Sequence, residues 1–382
     1  MKKTLFYIDP MSYNNLAIYD YSLLNNSPDN KDLEIFFFGN AKYNFKEFNN
    51  INFIPIFNYS DRRYIGKIVS YIFSYIKIFL CVIKKKPVII HCQWFKLPWF
   101  DLHVIKLIKR VFLNIKIIYT AHNVLPHDKS EKYRLIYSKL YNKVDFIITH
   151  TESSKEEIVS LCNKNKENIH VIPHGLINYK IENEIIADEI KKLKRKHKII
   201  NQKIFISLGI QSYYKGIDLI LNSWIKSKDL NNNDNLLLII AGKGDLEYYK
   251  YIKSSTNIII RNEFISDKEF IAYFKIADVV LLPYRKISQS GVLLTAINEE
   301  VPVLVSNVGG LTEPFRCGRI GWIMSETSQD ELANLLTKIS KNPQEINSIK
   351  NDKISWNKVK DYYNWSRIQK TTFNFYETVS EI

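Results

Sequence analysis

The 382-residue sequence predicts an α/β fold made of two doubly wound, parallel-sheet domains facing a cleft. Three observations carry that expectation. The chain is longer than one hydrophobic core commonly fills. Short β-branched apolar runs alternate with helix-period stretches in both halves, as strand–helix–strand crossovers do. The alternation breaks once, at a polar stretch over 176–202 that includes Lys191-Lys192-Leu193-Lys194-Arg195-Lys196, and then restarts.

In the first series the strand candidates are Thr4–Ile8, Leu33–Phe38, Val88–His91, Lys116–Thr120, Phe146–Thr149 and His170–Ile172. Helical patterns lie between them at Tyr64–Ile83, Leu102–Phe112, Lys132–Asn142 and Ser153–Leu161. The second series offers strands at Lys203–Leu208, Leu236–Ala241, Ile258–Ile260, Val279–Leu282 and Val303–Ser306. The tail Ser366–Ile382 reads as a last amphipathic helix. The expected division is therefore 1–178, 200–365 and a terminal helix over 366–382 that packs back on the first domain.

A hydrophobic share of 46% with 24% charged residues belongs to a folded protein and excludes a disordered one. The four cysteines (Cys81, Cys92, Cys162, Cys317) are far apart and lack C-x-x-C spacing. They read as reduced thiols, which places the expected compartment in the cytoplasm. The apolar run after Met1 is too short for a signal peptide and reads as a first buried strand.

The net charge of +15 is concentrated: residues 60–143 hold 17 Lys/Arg against four Asp/Glu. Such a surface implies an anionic partner. The longest apolar stretch, Tyr64–Ile83, lies in this region and ends in Lys84-Lys85-Lys86. Lys67 and Lys77 interrupt it, and charges near a bilayer centre cost a few kcal/mol each, roughly 2.5–3.5 on insertion scales. The pattern suits a helix lying flat on an anionic membrane, peripheral on the inner face of the cytoplasmic membrane. Nucleic acid is not expected, because charge alone speaks for it and no recognition motif does.

Ligands of open α/β sheets bind beyond the carboxyl ends of the strands. There the sequence places Gly209-Ile210-Gln211-Ser212-Tyr213-Tyr214-Lys215-Gly216, where Gly permits close backbone approach and Lys215 can aim at a phosphate. The loop lacks the G-x-x-x-x-G-K-[ST] frame of a P-loop. A second loop, Pro283 to Gly291, is basic at Arg285 and ends in Gln289-Ser290-Gly291, a helix start whose amides suit an anion. A third carries Gly309-Gly310 and then Glu313. In the first domain Thr120-Ala121-His122-Asn123-Val124-Leu125-Pro126-His127 and Ile172-Pro173-His174-Gly175 follow strands. The eight histidines show no metal-ligand spacing, so no metal site is expected. A dehydrogenase is disfavoured, since no G-x-G-x-x-G follows the first strand.

As a set these motifs resemble glycosyltransferase family 4 and its relatives that build bacterial surface polysaccharides. Carrying the likeness are Gly209…Tyr214-Lys215-Gly216, Ala241-Gly242-Lys243-Gly244, Ala277-Asp278…Pro283-Tyr284, Gln289-Ser290-Gly291-Val292 and Gly309-Gly310…Glu313. The stretch from Thr120 to His127 and Ile172-Pro173-His174-Gly175 add to it. The resemblance implies a GT-B fold of two Rossmann-like domains, with the acceptor in the first and a nucleotide sugar in the second. It implies His122 as the active-site histidine, and Gly209, Lys215, Arg285, Gln289, Ser290, Gly291 and Glu313 as the donor site. Asn123, His127 and His174 fall on the acceptor side. Metal-independent, retaining transfer of a sugar to a lipid-linked saccharide would follow, with no cofactor.

Two departures qualify the likeness. Ile210 stands where the family has Arg, and the paired carboxylates spaced E-x7-E fall on Ile287 and Thr295. The expectation is that Arg285 replaces the missing phosphate cation. A nucleotide-sugar epimerase or hydrolase of the same architecture and a non-catalytic polysaccharide-assembly protein are the alternatives.

Overall fold

A computed structural model describes residues 2–13, 16–25, 32–43, 48, 50–58, 64–126, 130–244 and 255–382. The chain divides into two compact units: Met1–Gly175 with Tyr363–Ile382, and Leu176–Tyr362. Each contains one parallel sheet with helices on its faces.

The first unit runs β1 (Lys3–Ile8), α1 (Ala17–Leu24), β2 (Leu33–Asn40), β3 (Ile51–Phe57), α2 (Tyr64–Lys85), β4 (Ile89–Cys92) and α3 (Pro98–Val111). It continues through β5 (Lys116–Ala121), α4 (Ser130–Lys143), β6 (Phe146–Thr149), α5 (Glu152–Leu161) and β7 (Ile169–Val171). Its sheet has the order β3-β2-β1-β4-β5-β6-β7. The strands are apolar on both faces because helices cover both. On one side Phe6, Ile90 and Ile117 meet Tyr75, Ile78 and Val82 of α2 and Leu102 and Ile105 of α3.

The second unit contains α6 (Asn183–Lys196), β8 (Lys203–Leu208), α7 (Ile217–Lys226), β9 (Leu236–Ala241), β10 (Ile258–Arg261), α8 (Asp267–Ile276) and β11 (Val279–Leu282). After these come α9 (Gly291–Asn298), β12 (Val303–Val305), β13 (Gly321–Ile323), α10 (Gln329–Lys341), α11 (Pro343–Asn351) and α12 (Lys353–Tyr362). The sheet order is β10-β9-β8-β11-β12-β13. Two doubly wound Rossmann-like sheets are thus present, as the alternation predicts.

The last helix, α13 (Trp365–Glu381), belongs to the first unit. Its Ile368, Phe373, Tyr376 and Val379 join Leu5, Tyr7, Leu23 and Ile89 in the core on the sheet's other side. Gln369 donates to the Ser22 and Asn25 carbonyls at the end of α1, at 2.8 and 2.6 Å. Lys3 donates to the Ser380 carbonyl at 3.0 Å.

Two strands escaped the sequence reading. Pro55 lies inside β3 and breaks the strand signal, yet β3 is an edge strand, where a missing N–H costs no ladder bond. β13 is only three residues long, too short for any periodicity. The polar stretch over 176–202 is not merely a connection. It carries α6, which buries Ile186 and Leu193 and packs on α8 within the second unit.

The Tyr376 hydroxyl meets buried His91 Nδ1 at 2.6 Å and ties α13 to β4. Tyr376→Phe leaves that buried nitrogen with only the Gln93 amide, 3.5 Å away. The expected loss is about 1–3 kcal/mol of stability, read as a lower urea midpoint with an unchanged slope.

Candidate active site

In the second sheet the strand order reverses between β8 and β11. Chains leaving those strands turn to opposite faces, and a crevice opens beyond their carboxyl ends. β8 ends at Gly209, whose φ of 91° favours a residue without a side chain. A Cβ there would lie 2.8 Å from the Lys215 ammonium, so the glycine leaves the space that the lysine fills. Lys215 is buried, donates to the Leu208 carbonyl at 3.2 Å and lies 5.7 Å from the Tyr284 ring centre. Burial alone lowers its pKa from 10.5 to about 8, and no carboxylate among the described residues offsets this. A cation is thus held where water cannot solvate it well.

The neighbouring loop is locked onto this one. A Cβ on Gly216, at φ 68°, would sit 2.2 Å from the Pro283 carbonyl oxygen. The Arg285 backbone N–H donates to the Tyr214 carbonyl at 2.7 Å. The Arg285 side chain has partners that the sequence did not reveal. Its guanidinium donates to both Asp218 carboxylate oxygens at 2.7 and 2.6 Å, donates to the Tyr213 carbonyl at 2.8 Å, and covers the Tyr213 ring at 4.0 Å. Asp218 pairs with it, and through that pair and the Tyr213 carbonyl Arg285 pins the Lys215 turn.

After this loop Ser290 caps α9, accepting from the Leu293 N–H at 3.3 Å. Gln289 is half-buried beside it. Gly291 gives the helix an uncluttered first turn. Ile287 and Thr295, on the positions of the missing carboxylates, are both buried. Thr295 donates to the Gly291 carbonyl at 2.9 Å, closing the first turn of α9. The third loop joins the second through the Gly310 N–H and the Ser288 carbonyl, 3.2 Å apart. Glu313 is buried at the head of a 3-10 turn, Glu313–Arg316. The structure therefore gathers Gly209, Lys215, Gln289, Ser290, Gly291 and Glu313 on adjacent loops at one sheet edge.

The first sheet reverses between β1 and β4. Asp9, Gln93, His122 and His150 come just after β1, β4, β5 and β6, four strands in a row. His122 stacks on Trp94 at 4.7 Å with 9° between the planes, and meets the edge of Tyr19 at 4.8 Å. Its Nε2 lies 3.0 Å from the Gln93 amide, and its Nδ1 lies 3.1 Å from His150 Nε2. His174 packs on Tyr19 at 5.0 Å and His150 at 5.4 Å, and donates from Nδ1 to the Gly175 carbonyl at 2.7 Å. Asn123 is half-buried next to His122, whereas His127 lies outside the described residues.

Burial keeps these imidazoles neutral. It pushes His150 down to about 3 and His174 to about 4. His122 is driven well below 6.5 by burial first, then by His150, His174 and His91. Below the cluster, Tyr7 donates to buried Asp20 at 2.6 Å. Burial raises both Asp20 and Asp9, and their mutual repulsion adds to the rise at Asp20. Among the described residues no three His, Cys, Asp or Glu side chains are placed to hold a metal ion.

Sequence reasoning missed His91, Gln93, His150 and Tyr19. The first three sit at the ends of β4 and β6, so the strand-end rule that found His122 would have found them too. Tyr19 carried no signal, because α1 gave no usable pattern.

The comparisons with known proteins agree with this architecture. The family described as Glycosyltransferase Family 4 matches residues 31–177, and Glycosyl transferases group 1 matches residues 189–356. The uncharacterized glycosyltransferase MJ1607 of Methanocaldococcus jannaschii is 26% identical over 245 residues, covering 62% of this chain. The match spans 60% of that relative's length. Among solved structures, sucrose-phosphate synthase from Thermosynechococcus elongatus aligns with a TM-score of 0.72 at 15% identity, over 99% of both chains. Anabaena HepE, solved with UDP-glucose, aligns with a TM-score of 0.68 at 14% identity, over 99% of this chain and 100% of its own. The two family matches fall one in each unit and leave little of either sheet uncovered, and the chain belongs to the family 4-like glycosyltransferases of the GT-B fold.

Proposed function

We propose that the protein moves a sugar from a UDP- or GDP-sugar to a lipid-linked saccharide acceptor, in capsule, O-antigen or exopolysaccharide assembly. The observation that carries this reading is Lys215: a buried ammonium, without a carboxylate among the described residues, beside a bare glycine at the sheet's switch point. HepE, a structural neighbour, binds UDP-glucose, which supports a nucleotide-sugar partner.

The donor C1–O bond breaks and its electron pair leaves with the diphosphate, while the acceptor oxygen bonds to C1 and gives its proton to the departing phosphate oxygen. Negative charge grows on the leaving phosphate. Lys215 and the amides opening α9 offset it in a dry site, where preorganised charge is the largest catalytic lever. His122, with its face covered by Trp94, positions the sugar. We take the transfer to be metal-independent and to retain configuration at C1. Work on the inner face of the cytoplasmic membrane suits α2. Its Ile65, Val69, Phe73, Ile76, Leu80 and Ile83 are exposed, while Tyr71, Tyr75, Ile78 and Val82 are in the core. A helix with one face in the core cannot span a bilayer without leaving the fold, but its outer stripe, flanked by exposed Lys67, Lys77 and Lys84, can lie on one.

Thermal shift with UDP, GDP, ADP and CMP, with and without Mg²⁺, tests the donor site. One nucleoside diphosphate at a hundredfold its Kd should stabilise the protein by about 2.7 kcal/mol, and Lys215→Ala should abolish the effect. Silence across the panel would support the non-catalytic alternative. The pH dependence has a definite sign. Lys215 is cationic below about 8 and neutral above, so UDP-sugar affinity should fall between pH 7 and 9. Lys215→Met should flatten that profile.

His122→Ala should lower turnover by about a hundredfold or more with little change in donor affinity. Vesicles containing anionic phospholipid should sediment the wild type and not a Phe73→Glu, Leu80→Glu variant. Equal sedimentation of both would remove α2 from the membrane contact.

A further inference from the structure

The hydrogen bonds around His122 determine where its proton sits. The starting point is the Ile172 carbonyl, 2.9 Å from His150 Nδ1. A carbonyl only accepts, so His150 Nδ1 carries a hydrogen. Buried among other imidazoles and with no carboxylate against it among the described residues, His150 is neutral, and its Nε2 is a bare acceptor. The atom facing that acceptor at 3.1 Å is His122 Nδ1, which must donate. His122 is neutral for the same reason, which leaves its Nε2 bare.

The rest of the cluster completes the pattern. The structure sets Gln93 Oε1 3.0 Å from His122 Nε2 and Gln93 Nε2 3.0 Å from His91 Nε2, but a bare His122 Nε2 needs the NH2 end of the amide, since only that end can donate. The two ends of a glutamine amide exchange by a half-turn, and the His150–Ile172 link requires that half-turn here. After the half-turn the Gln93 oxygen takes the place of its nitrogen, 3.0 Å from His91 Nε2, which also lies 2.7 Å from Thr120 Oγ1. His91 Nε2–H supplies the hydrogen, and His91 Nδ1 accepts from Tyr376 at 2.6 Å. Every donor from Tyr376 to Ile172 then points the same way along the chain. The opposite direction fails at its last link, where two acceptors would face each other.

We propose that His150 is a positioning residue: it holds His122 as the Nδ1–H tautomer, so that His122 presents Nε2 to the substrate as a hydrogen-bond acceptor. A sugar hydroxyl that displaces the Gln93 amide donates to that atom. Had Nε2 carried the hydrogen, the same hydroxyl would have to accept. The consequence for catalysis rests on the reading of His122 as the residue beside the sugar; the tautomer itself does not.

The experiment is a long-range ¹H–¹⁵N correlation spectrum of the full, deuterated chain labelled at histidine nitrogens, without ligand. The expected result is a protonated Nδ1 and a bare Nε2 for His122, a mixture of tautomers in His150→Phe, and a return to the first state in His150→Gln, whose amide oxygen can accept. A protonated Nε2 in the wild type, or an unchanged tautomer in His150→Phe, overturns the proposal. If His150→Phe does not fold, the wild-type spectrum still decides the tautomer. His150→Leu and His150→Gln then decide whether the side chain at 150 sets it. In turnover, His150→Phe should lower kcat by about tenfold or more with donor KM nearly unchanged, and His150→Gln should recover much of it. A correct tautomer with full activity in His122→Ala would overturn the sugar-transfer role of His122 and leave the tautomer assignment standing.

Discussion

In both sheets every strand runs the same way, and this one constraint organises the rest of the molecule. Parallel strands all finish at the same edge, so the loops that leave them are collected there whatever their separation in sequence. Each sheet also reverses its winding once, at β1/β4 and at β8/β11. Neighbouring chains then turn away from each other, and the edge opens. Lys215 and Ser290 are 75 positions apart in the chain, yet their loops leave adjacent strands. His122 and His150 meet for the same reason.

Within the second unit the crevice is shaped by close backbone approach, and side chains add little to that. Gly216 lies against the Pro283 carbonyl and Gly309 against that of Ile287. These contacts fasten the three loops to one another before any ligand arrives. Arg285 takes part in the same fastening through Asp218. The Arg285 guanidinium faces a carboxylate, whereas the Lys215 ammonium has a carbonyl and a ring as its neighbours. Burial is what separates two cations that look equivalent as letters.

The first unit solves a different problem. It buries His91, His150 and two aspartates near the same edge, with His122 and His174 half-buried beside them, and buried polar atoms need partners. His91, His122 and His150 meet this need as neutral rings joined in a line with Gln93, Thr120 and Tyr376. Tyr376 comes from α13, the last helix, so the far end of the chain finishes a network begun at β4. The helix is therefore part of the site's support as well as part of the core.

The sequence by itself determined the two parallel sheets, most strand positions, the terminal helix and the loops where chemistry sits. Those features depend on local periodicity and on glycine, serine and lysine at strand ends, which can be read along one dimension. It also pointed to His122 and Lys215. It did not reveal β3, where an edge position tolerates Pro55, nor the helix within the polar stretch after Leu176. Only the tertiary structure decided that Arg285 pairs with Asp218, that α2 turns six apolar side chains outward, and that His150 and Gln93 surround His122. Each of these depends on which groups meet across distant parts of the chain, and on how much water is left between them. A string of residues carries the identities of those groups but not their distances.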